Sequence, residues 1–342
     1  MLALDVADRQ GYRRRTMTVI ITGAAGFIGA HVAHRLLDRG ETVIGVDVFT
    51  DYYDPALKAA RATRLEARPG FTMVRMDIAD DAAFEALVRD SGAKRIVHLA
   101  AQAGVRYSID NPFAYQRSNL AGHLSVLEAA RRNDVAHLVY ASSSSVYGDR
   151  PQSLDGGDGA GFKETDPVDA PVSLYAATKR ANELMSISYA KLYGFPMSGL
   201  RFFTVYGPWG RPDMGYFGFT QKILAGQPIE VYGEGRMARD FTYVDDIVDG
   251  VIGVLDHPPA PGGHEIYNIG DNDPVGLMEM ISTLEKALGR EAIKIMRPMQ
   301  PGDVTATYAD ISKLQALTGY KPKVKLALGL ERFADWYRAF YA

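Results

Sequence analysis

From position 17 onward, short runs of β-branched and aliphatic residues alternate with stretches whose apolar positions recur every three to four residues. "MTVIIT", "TVIGVD", "TMVRMD", "KRIVHLA" and "HLVYAS" are near-continuous apolar runs of strand length, the pattern of parallel strands covered on both faces. Between the first two, Ile28, Val32 and Leu36 fall at i, i+4 and i+8, one apolar stripe along a helix. Repeated units of this kind predict an α/β fold built on a Rossmann-type, doubly wound parallel sheet.

A Gly-, Asp- and Pro-rich loop, "GDRPQSLDGGDGAGFKETDP" (148–167), breaks the alternation before a long helix from about Ser173 to Tyr193 and a further strand, "SGLRFF". Beyond Thr204 the elements are mixed: "PIEVYG", "HEIYNIG", a helix near 275–288 and another near 327–341. The expected organisation is a dinucleotide-binding domain over 17–203 and a smaller mixed α/β substrate domain over 204–342, some of whose segments return to the first. The ligand cleft is expected between them. Residues 1–16 read as a disordered extension, or as an upstream start with Met17 opening the folded part, because no apolar stretch precedes their arginines.

Composition narrows the chemistry. A net charge of −3 with no basic tract gives no general attraction for nucleic acid or an anionic membrane, so an anionic ligand needs local arginines. The absence of cysteine excludes disulfides, thiolate catalysis and Cys-type zinc sites. Of the seven histidines, His31 and His34 lack the i, i+4 spacing and acidic partner of a helical zinc site, and no metal is expected. No apolar run approaches the ~20 residues of a membrane span, so the chain reads as soluble and cytoplasmic.

"TGAAGFIG" sets Gly23, Gly26 and Gly29 in a turn that leaves a strand and opens a helix, where backbone without Cβ lets a pyrophosphate approach the helix N-terminus. Asp47 closes the second strand eighteen residues after Gly29, placed to hydrogen-bond both ribose hydroxyls of NAD. Its charge repels a 2′-phosphate, and no basic residue occurs before Lys58 to offset it, so NAD is favoured over NADP. Asp77, ending the third strand, is placed for the adenine side or is an ordinary turn residue. "YAATK" puts Tyr175 and Lys179 at i, i+4 on one helix face. A free phenol with a pKa near ~10 is a poor base at neutral pH. An adjacent ammonium, together with an oxidised nicotinamide, is expected to lower it until Tyr175 exchanges a proton with a substrate hydroxyl.

The glycine turn, the serine run of "ASSSSVYG" (141–148) and Tyr175-x-x-x-Lys179 together resemble the extended short-chain dehydrogenase/reductase family of nucleotide-sugar epimerases and dehydratases. More narrowly, "DVFTDYYDPALK", "LAAQAGVRYSIDNP", "SLYAATKRANELM", "LRFFTVYGPWGRPDM", "MARDFTYVDDIVDG" and "QPGDVTATYADIS" resemble the UDP-glucuronate 4-epimerases, in blocks spanning about residues 18–315. The resemblance implies reversible conversion of UDP-glucuronate to UDP-galacturonate through a 4-keto intermediate, with hydride held by bound NAD. By the same resemblance Ser143 serves the sugar O4 beside Tyr175 and Lys179, and Ser144, Ser145 and Thr204 face the carboxylate. Arg239 contacts the diphosphate and Asp303 the uridine ribose. Gln300 stands where some relatives carry a second diphosphate arginine.

Phe27, Ile28, Ile78, Leu99, Ala100 and Ala101 complete the cofactor set. Arg211 is expected to supply positive charge near the carboxylate or to sit in a loop ion pair, and Arg106 is a candidate substrate-side cation. Ser142 reads as a solvated strand-end hydroxyl. The family also implies a homodimer through helices near 114–133 and 174–193. Two other reactions of the same class stay open, UDP-glucuronate decarboxylation and epimerisation of a neutral UDP-hexose. Glu at 145 or Asn at 204 would mark them. A reading from another class, an NAD-sensing binding module without turnover, would be marked by loss of Tyr175, Lys179 or Ser143.

Overall fold

The computed structural model describes residues 17–149, 161–299 and 306–341. The expectations for residues 1–16, most of the Gly/Asp-rich loop, Gln300 and Asp303 lie outside them.

Thirteen strands occur among the described residues. In chain order they are β1 (Thr18–Thr22), β2 (Thr42–Asp47), β3 (Phe71–Arg75), β4 (Arg95–His98), β5 (His137–Ser143), β6 (Met197–Phe202), β7 (Thr204–Tyr206), β8 (Ile229–Val231), β9 (Ala238–Tyr243), β10 (His264–Ile269), β11 (Pro274–Gly276), β12 (Lys294–Met296) and β13 (Ala306–Thr307). Seven form one sheet in the order β10-β6-β5-β4-β1-β2-β3. Every pairing in it is parallel. The order reverses between β1 and β4, and a doubly wound sheet opens its ligand crevice at the carboxyl ends of such strands.

The apolar runs are near-continuous because both faces are covered. Val19 and Ile21 point into one core, with Val32 and Leu36 of the helix Phe27–Asp38 and Val248 and Val251 of the helix Val244–Leu255. Ile20 points into the other, with Phe84, Val88, Val126 and Leu127. A smaller sheet hangs on β9, which pairs antiparallel with β11 and parallel with β7 and β13. β12 pairs with β8 separately. "HEIYNIG" contributes β10, which adds to the edge of the large sheet beside β6.

The long helix spans Leu174–Tyr193, with Ser173 as N-cap accepting from the Ala176 amide. The third strand stops at Arg75, so Asp77 lies in the following turn rather than at the strand's end. There it accepts from the Ala79 amide at 2.9 Å and from Arg117 at 2.8 Å.

Candidate active site

A cleft of about 960 Å³ crosses the carboxyl ends of the strands, and every described residue that the sequence nominated lines it. Gly23 leaves β1 with a left-handed φ of +74°, and a Cβ there would lie 2.8 Å from the Ala100 nitrogen. A Cβ on Gly29 would lie 2.1 Å from the Gly23 carbonyl. Side chains are thereby excluded from the turn, and the helix Phe27–Asp38 starts at Gly26 with no side-chain cap. Its first amides are left to a ligand, which fits the pyrophosphate of a dinucleotide.

Asp47 is buried and accepts from the Ala25 and Phe49 amides at 3.1 and 2.9 Å. Lys58 sits 3.2 Å from the same carboxylate, because the helix Pro55–Glu66 folds back over β2. This corrects the expectation of an uncompensated charge: Asp47 lines the cleft where it can still accept from a ribose, but its repulsion of a 2′-phosphate is partly neutralised. Ile78, Leu99, Ala100 and Ala101 line the apolar wall.

The four serines divide between different tasks. Ser142 is buried and donates to Glu183 at 2.6 Å, so it is not a solvated hydroxyl. Glu183 in turn pairs with Arg201 at 2.8 Å and Arg180 at 3.0 Å, which hold its carboxyl below the usual range although burial pushes it up. Ser143 accepts from the amide and the hydroxyl of Ser145 at 3.2 and 2.9 Å, and lines the cleft together with Tyr175, whose phenol it helps to lower. Ser145 therefore spends its proton on Ser143, and holding a carboxylate requires that hydroxyl to rotate. Ser144 is half-buried on the cleft wall.

Burial acts on both members of the Tyr175–Lys179 pair. Burial raises the Tyr175 phenol, and Ser143 and the charge of Arg211 pull it back only in part. Lys179 is turned to the Ala141 carbonyl at 2.9 Å, and burial lowers it to about 8. Among the protein's own groups, Ser143 and Arg211 favour the phenolate.

Arg211 is paired with Asp213, 2.5 Å between Nη2 and Oδ2, and both line the cleft, so the ion pair and the site are one arrangement. Burial works against the arginine's charge, and Asp213 more than restores it. Tyr52 donates to Asp213 at 3.1 Å. Thr204, Arg106 and Arg239 also border a second cavity of about 480 Å³, whose walls include Phe219, Tyr232 and Met280. Arg106 stands over the Tyr232 ring, and Arg239 donates to the Ala238 carbonyl at 2.8 Å. Two cations beside an apolar, aromatic recess suit a nucleoside diphosphate.

Residues 19–270 match the NAD dependent epimerase/dehydratase family. The chain belongs to that family. A probable UDP-glucuronate 4-epimerase of Rhizobium meliloti is 46% identical, over 95% of this chain and 98% of its own. UDP-glucuronate 4-epimerase 3 of Arabidopsis thaliana is 45% identical, over 96% of this chain and 78% of its own. The crystal structure of a UDP-glucuronic acid 4-epimerase from Bacillus cereus, in complex with UDP-glucuronic acid and NAD, superposes with a TM-score of 0.87 at 34% identity. It covers 95% of this chain and 100% of that one.

Several buried residues that support the cleft wall of this epimerase/dehydratase chain carried no local signal in the sequence. Tyr115 donates to the Ala103 carbonyl at 2.8 Å and sets its ring edge-on to Tyr175 at 6.1 Å. Asn119, in a π-helical stretch Gln116–Ala121, ties Gln102 to Thr178 on the helix Leu174–Tyr193. The tyrosine of "VYG", Tyr147, donates to Asn268 of β10 at 2.6 Å. Each contact joins positions far apart in the chain, where spacing has nothing to report.

Proposed function

We propose that the protein interconverts UDP-glucuronate and UDP-galacturonate by inverting C4, acting as a cytoplasmic homodimer. The observation that carries the reading is the convergence, in one cleft, of the glycine turn, Tyr175 with Ser143 and Lys179, and the Arg211–Asp213 pair, with a phosphate-suited recess beside it. Bound NAD supplies the hydride acceptor and donor at C4.

Tyr175 takes the O4 proton, with Ser143 aligning that oxygen through its remaining hydrogen-bonding capacity. Lys179, fixed on the Ala141 carbonyl, holds the nicotinamide side of the cleft. Arg239 and Arg106 retain the diphosphate while the 4-keto sugar turns over to offer the other face of C4 to the returning hydride, and Tyr175 returns the proton to O4. The ketone at C4 beside a carboxylate on C5 is a β-keto acid. It loses carbon dioxide when the breaking bond aligns with the carbonyl π system. Ser144, Thr204 and Arg211 hold the carboxylate away from that alignment, joined by Ser145 when its hydroxyl rotates.

Leu124, Leu184 and Leu192, on the helices Gly122–Arg132 and Leu174–Tyr193, are 43%, 52% and 69% exposed, which supports pairing of two copies through this face. The testing experiment incubates the purified protein with UDP-glucuronate, without added NAD, and follows the sugar by proton NMR. UDP-galacturonate is expected. UDP-pentose with carbon dioxide would make it a decarboxylase, and no turnover even with added NAD would point to a different sugar nucleotide, such as a neutral UDP-hexose, or to a binding module.

A further inference from the structure

Arg61, in the helix Pro55–Glu66, is completely buried, yet all its partners are uncharged oxygens. Nε and Nη2 donate to the Trp209 carbonyl at 3.0 and 2.6 Å, and Nη2 also to the Gly210 carbonyl at 2.9 Å. Nη1 donates to the Ala25 carbonyl at 3.2 Å and to the Tyr53 hydroxyl at 2.8 Å. These five bonds match the five donors of a guanidinium.

The partners come from two parts of the site. Ala25 belongs to the glycine turn, and Trp209 and Gly210 immediately precede Arg211. Trp209 has a left-handed φ of +62°, which a bulky residue adopts only when its surroundings impose it. Its ring is wedged against Trp336 and Phe340 at 5.3 and 5.1 Å, with Arg64 over its face at 4.5 Å. The bend is thus clamped from both sides, at its carbonyl by Arg61 and at its ring by the aromatic cluster.

We propose that Arg61 is a positioning residue for Arg211: it locks the 209–210 carbonyls to the cofactor turn and thereby fixes the guanidinium that meets the sugar acid. It touches neither ligand. Lysine cannot replace it, because an ammonium has three donors without the planar fork. The proposal rests on the reading that Arg211 meets the carboxylate of UDP-glucuronate.

The test is a double-mutant cycle by isothermal titration on the purified protein, with Arg61→Lys, Arg211→Ala and the double variant, each titrated with UDP-glucuronate and with UDP. Arg61→Lys is expected to weaken UDP-glucuronate about tenfold, the scale of one charge-assisted hydrogen bond, and to leave UDP unchanged. In the Arg211→Ala background the same change is expected to add nothing. Losses that add, or equal losses for UDP and UDP-glucuronate, would overturn the proposal by making Arg61 a purely structural residue. Undiminished UDP-glucuronate binding by Arg211→Ala would instead overturn the carboxylate reading beneath it. If Arg61→Lys does not fold, Tyr53→Phe removes one of the five partners. It is expected to weaken UDP-glucuronate but not UDP, and unchanged affinity for both would refute the clamp.

Discussion

Lowering the pH from 7 to 5 should destabilise this fold by about 4 kcal/mol through two imidazoles alone, before any carboxylate is counted. His123 and His137 are each 1% exposed. His137 donates from Nδ1 to the Leu255 carbonyl at 3.1 Å, which leaves Nε2 to accept from Ser198 at 3.0 Å, the neutral tautomer. Burial pushes it down to about 4. His123, stacked on His98 and edge-on to Tyr140, is pushed down to about 3, again mainly by burial.

Both values lie below the unfolded value of about 6.5, so between that pH and the folded pKa the unfolded chain binds more protons, and stability falls as the pH falls. At pH 5 the difference is about 2 kcal/mol for each ring. His98, held well below its ordinary value by burial, adds to the loss. Asp271, raised to about 6 by burial and by Asp240, takes up its proton in the folded chain first and so opposes part of it.

Urea unfolding at pH 7, 6 and 5, at fixed protein concentration, measures the slope. His123→Phe keeps a ring in the stack but gives up, at every pH, the 2.9 Å bond between Nε2 and Ser186, so the variant starts less stable yet should lose about 2 kcal/mol less than the parent between pH 7 and 5. Equal losses in parent and variant would refute the burial argument for His123.

The site gives three further tests. The Ser144→Ala, Ser145→Ala double variant should release more UDP-pentose from UDP-glucuronate than the parent, by proton NMR, with Ser144→Ala alone accounting for most of it, because Ser145 donates to Ser143. Gly29→Ala drives a methyl to 2.1 Å from the Gly23 carbonyl, so the purified variant should carry less NAD, read from its absorbance ratio at ~260 and ~280 nm against the parent. Asp47→Ala leaves Lys58 without its carboxylate, and the ratio of NADP to NAD affinity by titration should rise about tenfold, the scale of one charged hydrogen bond; an unchanged ratio would show that Asp47 does not choose the cofactor.

The features legible in the sequence were those written in local spacing: the strand runs, the glycine turn and the Tyr175–Lys179 helix. Parallel strands buried on both faces leave continuous apolar runs, and a turn without room for Cβ leaves glycines, so each records its own environment. What escaped was set by partners distant in the chain. Lys58 looked too far along to matter to Asp47 until the helix carrying it folded back. Ser142 and Ser143 are adjacent and chemically identical, yet strand alternation sends one to Glu183 and the other to Tyr175. Arg61 sits in an ordinary amphipathic helix and is distinguished only by carbonyls almost 150 positions later.

The placement of β10 beside β6 bears on how the chain matures as it leaves the ribosome. Six of the seven parallel strands have been synthesised by Phe202, but the one that closes the β6 edge arrives roughly 70 residues later. At ~5–20 residues per second the nascent chain spends several seconds or more with the wholly buried strand Met197–Phe202 unpaired on one side. An open apolar edge is a template for pairing with another chain. A chain ending at residue 203 would keep its glycine turn and its tyrosine but stay in that aggregation-prone state, so the part of the protein after it acts as an internal chaperone for the sheet as well as a wall of the cleft.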